Sequence, residues 1–266
     1  MTRGRGVDVL ELRKRIEEAF RRVVKLFLYV VISRCDRQRY MVVRGRVMAW
    51  LARHRLYEWE YLSALRTFVQ RGDTVVDVGA HFGAYSLTLA ELVGRDGRVV
   101  AVEPLRGCVQ ALEALQRSYA QIELHQVALG AGSEAAKTFY IPLLFGFVPE
   151  PALASLVQPT MTHEALIVPS GTLDGLFTRA DRISFIKLDV EGAEFQVLRG
   201  ADALLRSSRP AILMEVNQPH AVWPNIQEFC DTYRYIPFKL KGAGTVQIET
   251  PQEIGGTNLF LLPRLS

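Results

Sequence analysis

The chain has 266 residues, about half of them apolar, with 32 Lys/Arg against 28 Asp/Glu and three cysteines. That length and apolar content allow a full core in one domain with an extension, and they exclude disorder as the overall state. Cys35, Cys108 and Cys230 are too few, too scattered and odd in number for a disulfide framework or a zinc cluster, so the expected compartment is the reducing cytoplasm.

The charge is unevenly spread. Residues 1–71 carry 17 Lys/Arg against 7 Asp/Glu, and the remainder carries 15 against 21. A basic arm on an acidic body suits an anionic neighbour, membrane or nucleic acid, although a solvated helix face is the plainer reading. Within the arm, Leu12, Ile16, Phe20, Val23, Phe27 and Val31 form one helical stripe, with Arg13, Lys14, Glu17, Arg21 and Lys25 largely off it. The apolar run Leu26 to Ile32 is too short to span a bilayer and lacks a cleavage site after it, so neither a membrane span nor a signal peptide is expected. Peripheral contact with the inner face of a membrane, a partner subunit or the chain's own core all remain open for this helix.

A helix is expected from Tyr57 to Gln70, ended by Arg71-Gly72-Asp73. Short apolar strands then follow at Val75 to Val78, Arg98 to Val102, Glu123 to Val127, Ile183 to Leu188 and Ala211 to Val216. Helices are expected between several of them, at Tyr85 to Val93, Gly107 to Tyr119 and Ala193 to Leu205. That βαβ rhythm implies an α/β fold with a mainly parallel sheet covered on both faces. Phe238 to Ile248 reads as a hairpin around Gly242-Ala-Gly244, and Asn258 to Leu262 as a final antiparallel strand. Ile141 to Pro169 is rich in proline and reads as a loop insertion, in which Phe145, Phe147 and Ser155 would line a lid. The expected division is a basic helical extension over residues 1–56 and a main domain over 57–266.

The stretch TVVDVGAHFGAYS, Thr74 to Ser86, reads as a buried strand, a glycine turn and a helix. Ligands of open parallel sheets sit at the carboxyl ends of the strands, where strand order reverses. Gly79 and Gly83 let backbone approach a ligand there, and Glu103 ends the next strand where a carboxylate can take both hydroxyls of a ribose. The spacing Gly79-x-x-x-Gly83 is not the dinucleotide fingerprint, Asp77 would repel a pyrophosphate, and no Lys-Ser/Thr follows to make a P-loop. S-adenosylmethionine fits: its carboxylate can meet the helix N-terminus, its cationic groups Asp77, and its ribose Glu103. A purely structural strand-turn-helix is the bland alternative, and His81 reads as a polar loop contact rather than a base.

The second informative block is FIKLDVEGAEFQVLRG, Phe185 to Gly200. It brings Lys187, Asp189 and Glu191 to the same sheet edge, while Glu194 reads as an ordinary first-turn acid and Asp189 has the alternative reading of a helix cap.

TVVDVGAHFGAYSLTLA, VVAVEP, QVALG, TLDGL, FIKLDVEGAEFQVLRGA and RPAILMEVN, in this order, resemble the FkbM family of S-adenosylmethionine-dependent methyltransferases. The resemblance runs from Glu58 to the C-terminus. It implies a class I, Rossmann-like fold with a seven-stranded sheet, and O-methylation of a sugar or polyketide-type small molecule or glycan. It places the cofactor on Asp77, Gly79, Ala80, His81, Gly83, Ser86 and Glu103, with Ala128 and Leu129 beside the adenine. His81 stands where Asn is frequent, and the N-terminal helix lies outside the motifs.

An aliphatic hydroxyl must lose its proton as the methyl bond forms. Asp189 is the first candidate base, Lys187 and Glu191 can orient it, and Glu215 is a second carboxylate on the neighbouring strand. Asp189 and Glu215 together could hold Mg²⁺. A nucleic-acid methyltransferase is the rival enzyme, disfavoured because the position after Ile186 reads Lys-Leu-Asp-Val-Glu in place of an Asn/Asp-Pro-Pro-aromatic motif. A membrane-associated scaffold that keeps the cofactor fold without catalysis is the rival of another class. Neither the acceptor nor the oligomeric state is legible.

Overall fold

The structure is a computed structural model and describes residues 37–54, 58–132, 134–144, 148–149, 154, 158–242, 244–255 and 258–264. The stripe from Leu12 to Val31, Cys35, Tyr57, Phe145, Phe147 and Ser155 therefore lie outside the described residues.

Val/Ile-rich runs form the parallel core strands, as β-branched residues favour a pleated surface buried on both faces. These are β1 (Thr74–Val78), β2 (Arg98–Val102) and β3 (Ile122–His125), then, far along the chain, β8 (Ile183–Leu188) and β9 (Ala211–Glu215). Between them lie β4 (Ala128–Leu129), β5 (Ala136–Leu144), β6 (Val148–Pro149) and β7 (His163–Gly171), and beyond them β10 (Tyr235–Lys241), β11 (Gly244–Gln247) and β12 (Asn258–Pro263). The main sheet has eight strands in the order β11-β10-β12-β9-β8-β1-β2-β3. Neighbours from β9 to β3 are parallel, whereas β12 runs against β9 and β10 against β12. The count is one more than the seven expected because the return arm of the hairpin, β11, pairs along β10.

The chain leaves β1 outward to β3 and returns to β8 on the other side of β1, so strand order reverses between β1 and β8. That crevice is where ligands of open α/β sheets sit.

Helices α1 (Arg37–Arg53), α2 (Trp59–Phe68), α3 (Ala84–Val93) and α4 (Arg106–Gln116) precede β3, and α5 (Glu194–Arg199), α6 (Asp202–Ser208) and α7 (Pro219–Tyr233) follow β8. Strand alternation sorts the core. Val75, Val99, Ala101, Phe185, Leu213 and Phe260 face α2, α3 and α4, while Val76, Val100, Ile186, Ile212 and Leu259 join Val197, Leu205, Ile226 and Phe229 on the other face. Part of the expected extension is built into the body: α1 packs on α3 and α4, with Leu51 and Ala52 buried. A Cβ on Gly45 would stand 2.4 Å from the Ala111 side chain, so only glycine lets α1 approach α4 this closely.

Three further expectations need correction. The strand expected over Glu123 to Val127 stops at His125, and Ala128 and Leu129 turn away to pair with Ser170 and Gly171. Ile141 to Pro169 is not simply a loop: β5 and β7 pair antiparallel from Ala136↔Pro169 to Pro142↔His163. Pro142 and Pro169 sit at the two ends of that ladder, where a missing N–H matters least, so they hide the strands from a reading that treats proline as a breaker. The helix expected from Ala193 to Leu205 is also divided. The Gly200 carbonyl accepts the Asp174 N–H at 2.9 Å, and the Asp174 carboxylate accepts from Ala203 and Leu204 N–H at 2.9 Å each, starting α6 afresh.

Candidate active site

The same alternation that buries Val75, Ala101, Phe185 and Leu213 on one face carries a charged residue two positions later on each strand: Asp77, Glu103, Lys187 and Glu215. Four strand ends thus deliver ionisable groups to one edge, beside the switch point.

The two motif turns meet there through backbone. Asp189 N–H donates to the Val78 carbonyl at 3.1 Å, and Gly79, at φ 75°, packs so tightly that a Cβ would lie 1.8 Å from the Asp189 carbonyl oxygen. Gly79 N–H and Ala80 N–H both donate to the Val102 carbonyl, at 2.9 and 3.0 Å. The glycine is therefore required by contact with the second motif, in addition to leaving room for a ligand.

Asp77 is 1% exposed, and Ser86 Oγ donates to its Oδ2 at 2.5 Å. Burial pushes its carboxyl up to about 6, against the pull of Ser86 and Lys187. Glu103 is also buried: His81 N–H donates to its Oε2 at 2.8 Å and Leu105 N–H to its Oε1 at 2.9 Å. Burial outweighs these two bonds and pushes it up to about 7. Each oxygen keeps a second lone pair for an incoming hydroxyl.

His81 adopts a left-handed conformation, φ 50°, with its ring against Phe82 at 4.1 Å. Its Nε2 is shut from solvent without a hydrogen-bond partner, and burial, then the charge of Arg44 on α1, lowers its pKa to about 3. This leaves a buried polar atom in the glycine turn with its hydrogen bond unmet.

Lys187 is 2% exposed, with Nζ 3.0 Å from Asp189 Oδ2 and 4.9 Å from the centre of the Tyr85 ring. Burial opposes its charge, but Asp189, Glu58 and Asp77 together hold its pKa above the ordinary value. Burial likewise works against ionised Asp189, yet Lys187 and a hydrogen bond from Glu215 keep its pKa below the usual one. Glu215 shows the opposite shift: burial, then the Asp189 charge and their hydrogen bond, push it up to about 8. Asn217 Nδ2 also donates to Glu215 Oε2 at 3.2 Å. Glu191, on an exposed left-handed turn at φ 52°, is pushed upward by burial and by Asp189 and Glu194, a push that surrounding water weakens.

Carboxylate oxygens of Asp189, Glu191 and Glu215 lie within 4.8 Å of one another, a set of hard donors. The Lys187 ammonium, 3.0 Å from Asp189 Oδ2, already offsets part of the charge of this set. The arrangement does not fit a resident Mg²⁺, because a dication would have to displace that ammonium from Asp189.

The structure thus brings Asp77, Gly79, Ala80, Ser86, Glu103, Lys187, Asp189 and Glu215 to one edge. Ala128 and Leu129 are buried in the short β4, just beyond His125, whose carbonyl accepts the Glu103 N–H. Glu194 does more than its place in the sequence suggested: its Oε1 accepts from Val190 and Gly192 N–H at 3.1 Å each and holds the turn that carries Glu191. Tyr85 and Glu58 were missed, since a tyrosine in an apolar helix and an acid before another carry no motif.

The family profile described as "Methyltransferase FkbM domain" matches residues 77–237, more than half of the chain. No curated protein matches. Among solved structures, the methyltransferase FkbM from Methylobacillus flagellatus KT is similar at 17% identity and a TM-score of 0.47, over 82% of this chain and 57% of that one. The chain thus spans little more than half of that protein. A methyltransferase from Geobacter sulfurreducens matches at 15% identity and a TM-score of 0.44, over 91% and 96% of the two chains. A SAM-dependent O-methyltransferase from Thermotoga maritima matches at 12% and 0.41, over 78% and 66%.

Proposed function

The chain belongs to the FkbM methyltransferase family, and on that premise we propose that it transfers a methyl group from S-adenosylmethionine to a hydroxyl oxygen of a small molecule or glycan. The observation that carries this reading is the Lys187–Asp189 ion pair, with the Glu215 carboxyl within 4.8 Å of Asp189, held against the glycine turn at Gly79.

When bound, S-adenosylmethionine supplies the methyl group from its sulfonium. The residues present suit it: Glu103 offers lone pairs to ribose hydroxyls, His81 an unpaired buried nitrogen, and Asp77, Asp189 and Glu191 a field that favours a cation. Ala128 and Leu129 offer an apolar seat for a base. The same acidic field disfavours a pyrophosphate.

Asp189 acts as general base. It stays ionised through Lys187 and takes the hydroxyl proton as the oxygen attacks, while Glu215 donates to it and limits its build-up of charge. The methyl donor held there would supply the carbon to the attacking oxygen and would leave as a neutral thioether. In-line positioning of the acceptor provides the rest of the rate.

Lys-Leu-Asp-Val-Glu at the edge of β8 supports oxygen over base-amine methylation, as in the reading of the motifs above. No helix among the described residues is long and apolar enough to cross a membrane. Residues 1–36 keep peripheral contact with an anionic surface as a proposal carried by charge alone.

Calorimetric titration with S-adenosylhomocysteine tests the assignment, on the wild type and on Glu103→Ala, with NAD as control. Binding that the substitution weakens tenfold or more supports it. No binding, or a preference for NAD, would require its withdrawal.

A further inference from the structure

Helix α1 lies outside the family segment of residues 77–237, yet it reaches the glycine turn. Gly45 sets the approach, since a Cβ there would stand 2.4 Å from the Ala111 side chain and 3.6 Å from Phe82 Cδ1. The residue before it, Arg44, is thereby carried inward. Arg44 is 8% exposed, and its guanidinium carbon lies 5.2 Å from the centre of the Phe82 ring. Phe82 also lies against the His81 ring at 4.1 Å, so one buried ring joins the cation of α1 to the turn between Gly79 and Gly83.

An arginine keeps its charge at any ordinary pH, and burying that charge is costly. Around Phe82 stand Leu105, Cys108, Ala111 and Ile141, with Val47 and Met48 of α1 packed against them. That setting suits an apolar side chain, and packing alone does not call for a guanidinium. What a guanidinium adds is a planar fork that meets a carboxylate with two parallel hydrogen bonds.

S-adenosylmethionine ends in an amino acid, a carboxylate beside an ammonium. The acidic edge at Asp189 and Glu191 favours the ammonium and the sulfonium but repels the carboxylate, and Lys187 is held by Asp189 at 3.0 Å. Arg44 brings a cation to the turn from the side of α1, where His81 Nε2 also has its hydrogen bond unmet.

We infer that Arg44 is a cofactor-binding residue supplied by α1, its guanidinium taking the carboxylate at the amino-acid end of S-adenosylmethionine. The inference rests on S-adenosylmethionine being the cofactor. It makes α1 a wall of the site, although the family segment does not include this helix.

The test is calorimetric titration of the full chain with two ligands. One is S-adenosylhomocysteine, and the other is its decarboxylated form, which keeps the nucleoside, the sulfur and the ammonium and lacks only the carboxylate. The wild type is expected to bind the first about tenfold or more tightly, the scale of a hydrogen bond between charged groups. Arg44→Met keeps an unbranched stem against Phe82 without the charge, and should bring that preference down to about twofold or less while sparing affinity for the decarboxylated ligand. Arg46→Gln, an exposed arginine two residues on, should leave the preference intact. Should Arg44→Met not fold, Arg44→Gln carries the comparison with the same expected result. An undiminished preference in a folded Arg44 variant, an equal loss of affinity for both ligands, or no preference in the wild type would overturn the inference and leave Arg44 as a packing residue over Phe82. A wild type that binds neither ligand would overturn the cofactor reading itself, and this inference with it.

Discussion

Asp189 and Glu215, at the carboxyl ends of adjacent parallel strands, bring carboxylate oxygens within 4.8 Å of each other and are pushed in opposite directions, Asp189 downward and Glu215 up to about 8. Two carboxyl groups in contact cannot both ionise easily, and Lys187 decides which of them does. The pair therefore offers a base and a proton donor to it within one contact, the separation of roles on which acid–base catalysis depends.

Substitution should separate the two partners. Asp189→Asn removes the accepting oxygen and is expected to lower kcat by about 10²-fold or more, the scale of a lost general base. Glu215→Gln keeps a donor toward Asp189 and should cost far less, while abolishing the rate dependence centred near pH 8. Steady-state rates on any accepted hydroxyl compound, measured across pH, check both. A larger loss in Glu215→Gln than in Asp189→Asn would show that Glu215, not Asp189, takes the proton.

Stability should fall as pH rises through neutrality. Glu103 is raised to about 7 and Asp77 to about 6, so each favours the folded state while protonated. That contribution is full below the unfolded values near 4 to 4.5, and is lost as pH climbs through the folded ones. For Glu103 the linked change is on the order of 3 kcal/mol. Thermal unfolding of the free protein should thus give a lower Tm at pH 8 than at pH 5, and Glu103→Gln should flatten the decline. A Tm that rises over this range would contradict the buried, protonated state of Glu103.

Asp174, in the TLDGL motif, tests whether a motif residue far from the chemistry is architectural. It accepts two N–H groups at the start of α6, so Asp174→Ala should cost about 1 kcal/mol, the usual value of a lost cap. Denaturant unfolding measures that cost. Affinity for S-adenosylhomocysteine, measured alongside, should not change.

The sheet was legible because its strands are continuous apolar runs that only a doubly covered parallel sheet can bury, and the sequence marks their order by the helices between. The edge that carries Asp77, Glu103, Lys187 and Glu215 was legible for the same reason, since each acid or base ends such a run. What could not be read is what depends on distant backbone. Gly79 is demanded by the Asp189 carbonyl, 110 residues on, and Gly200 closes a helix because Asp174 reaches across to it. The β5–β7 ladder was obscured by prolines that its ends tolerate. Glu58 and Tyr85 were invisible because nothing in their local sequence points to Lys187.

Chelation is the remaining test of the carboxylate cluster. Three carboxylates within 4.8 Å of one another invite a cation, and exposed Glu191 gives one access. Against that, Asp189 holds the Lys187 ammonium at 3.0 Å, and Glu215 keeps a proton until about pH 8, so most of the negative charge a dication would need is already matched. Methyl transfer is accordingly expected to survive exhaustive treatment with EDTA near neutral pH. Because a metal competes with the proton on Glu215, any Mg²⁺-dependent rise in Tm should appear only at alkaline pH and vanish in Glu215→Gln. Loss of activity on chelation, restored by Mg²⁺ at neutral pH, would mean that the cluster is a metal site and that Lys187 moves aside to allow it.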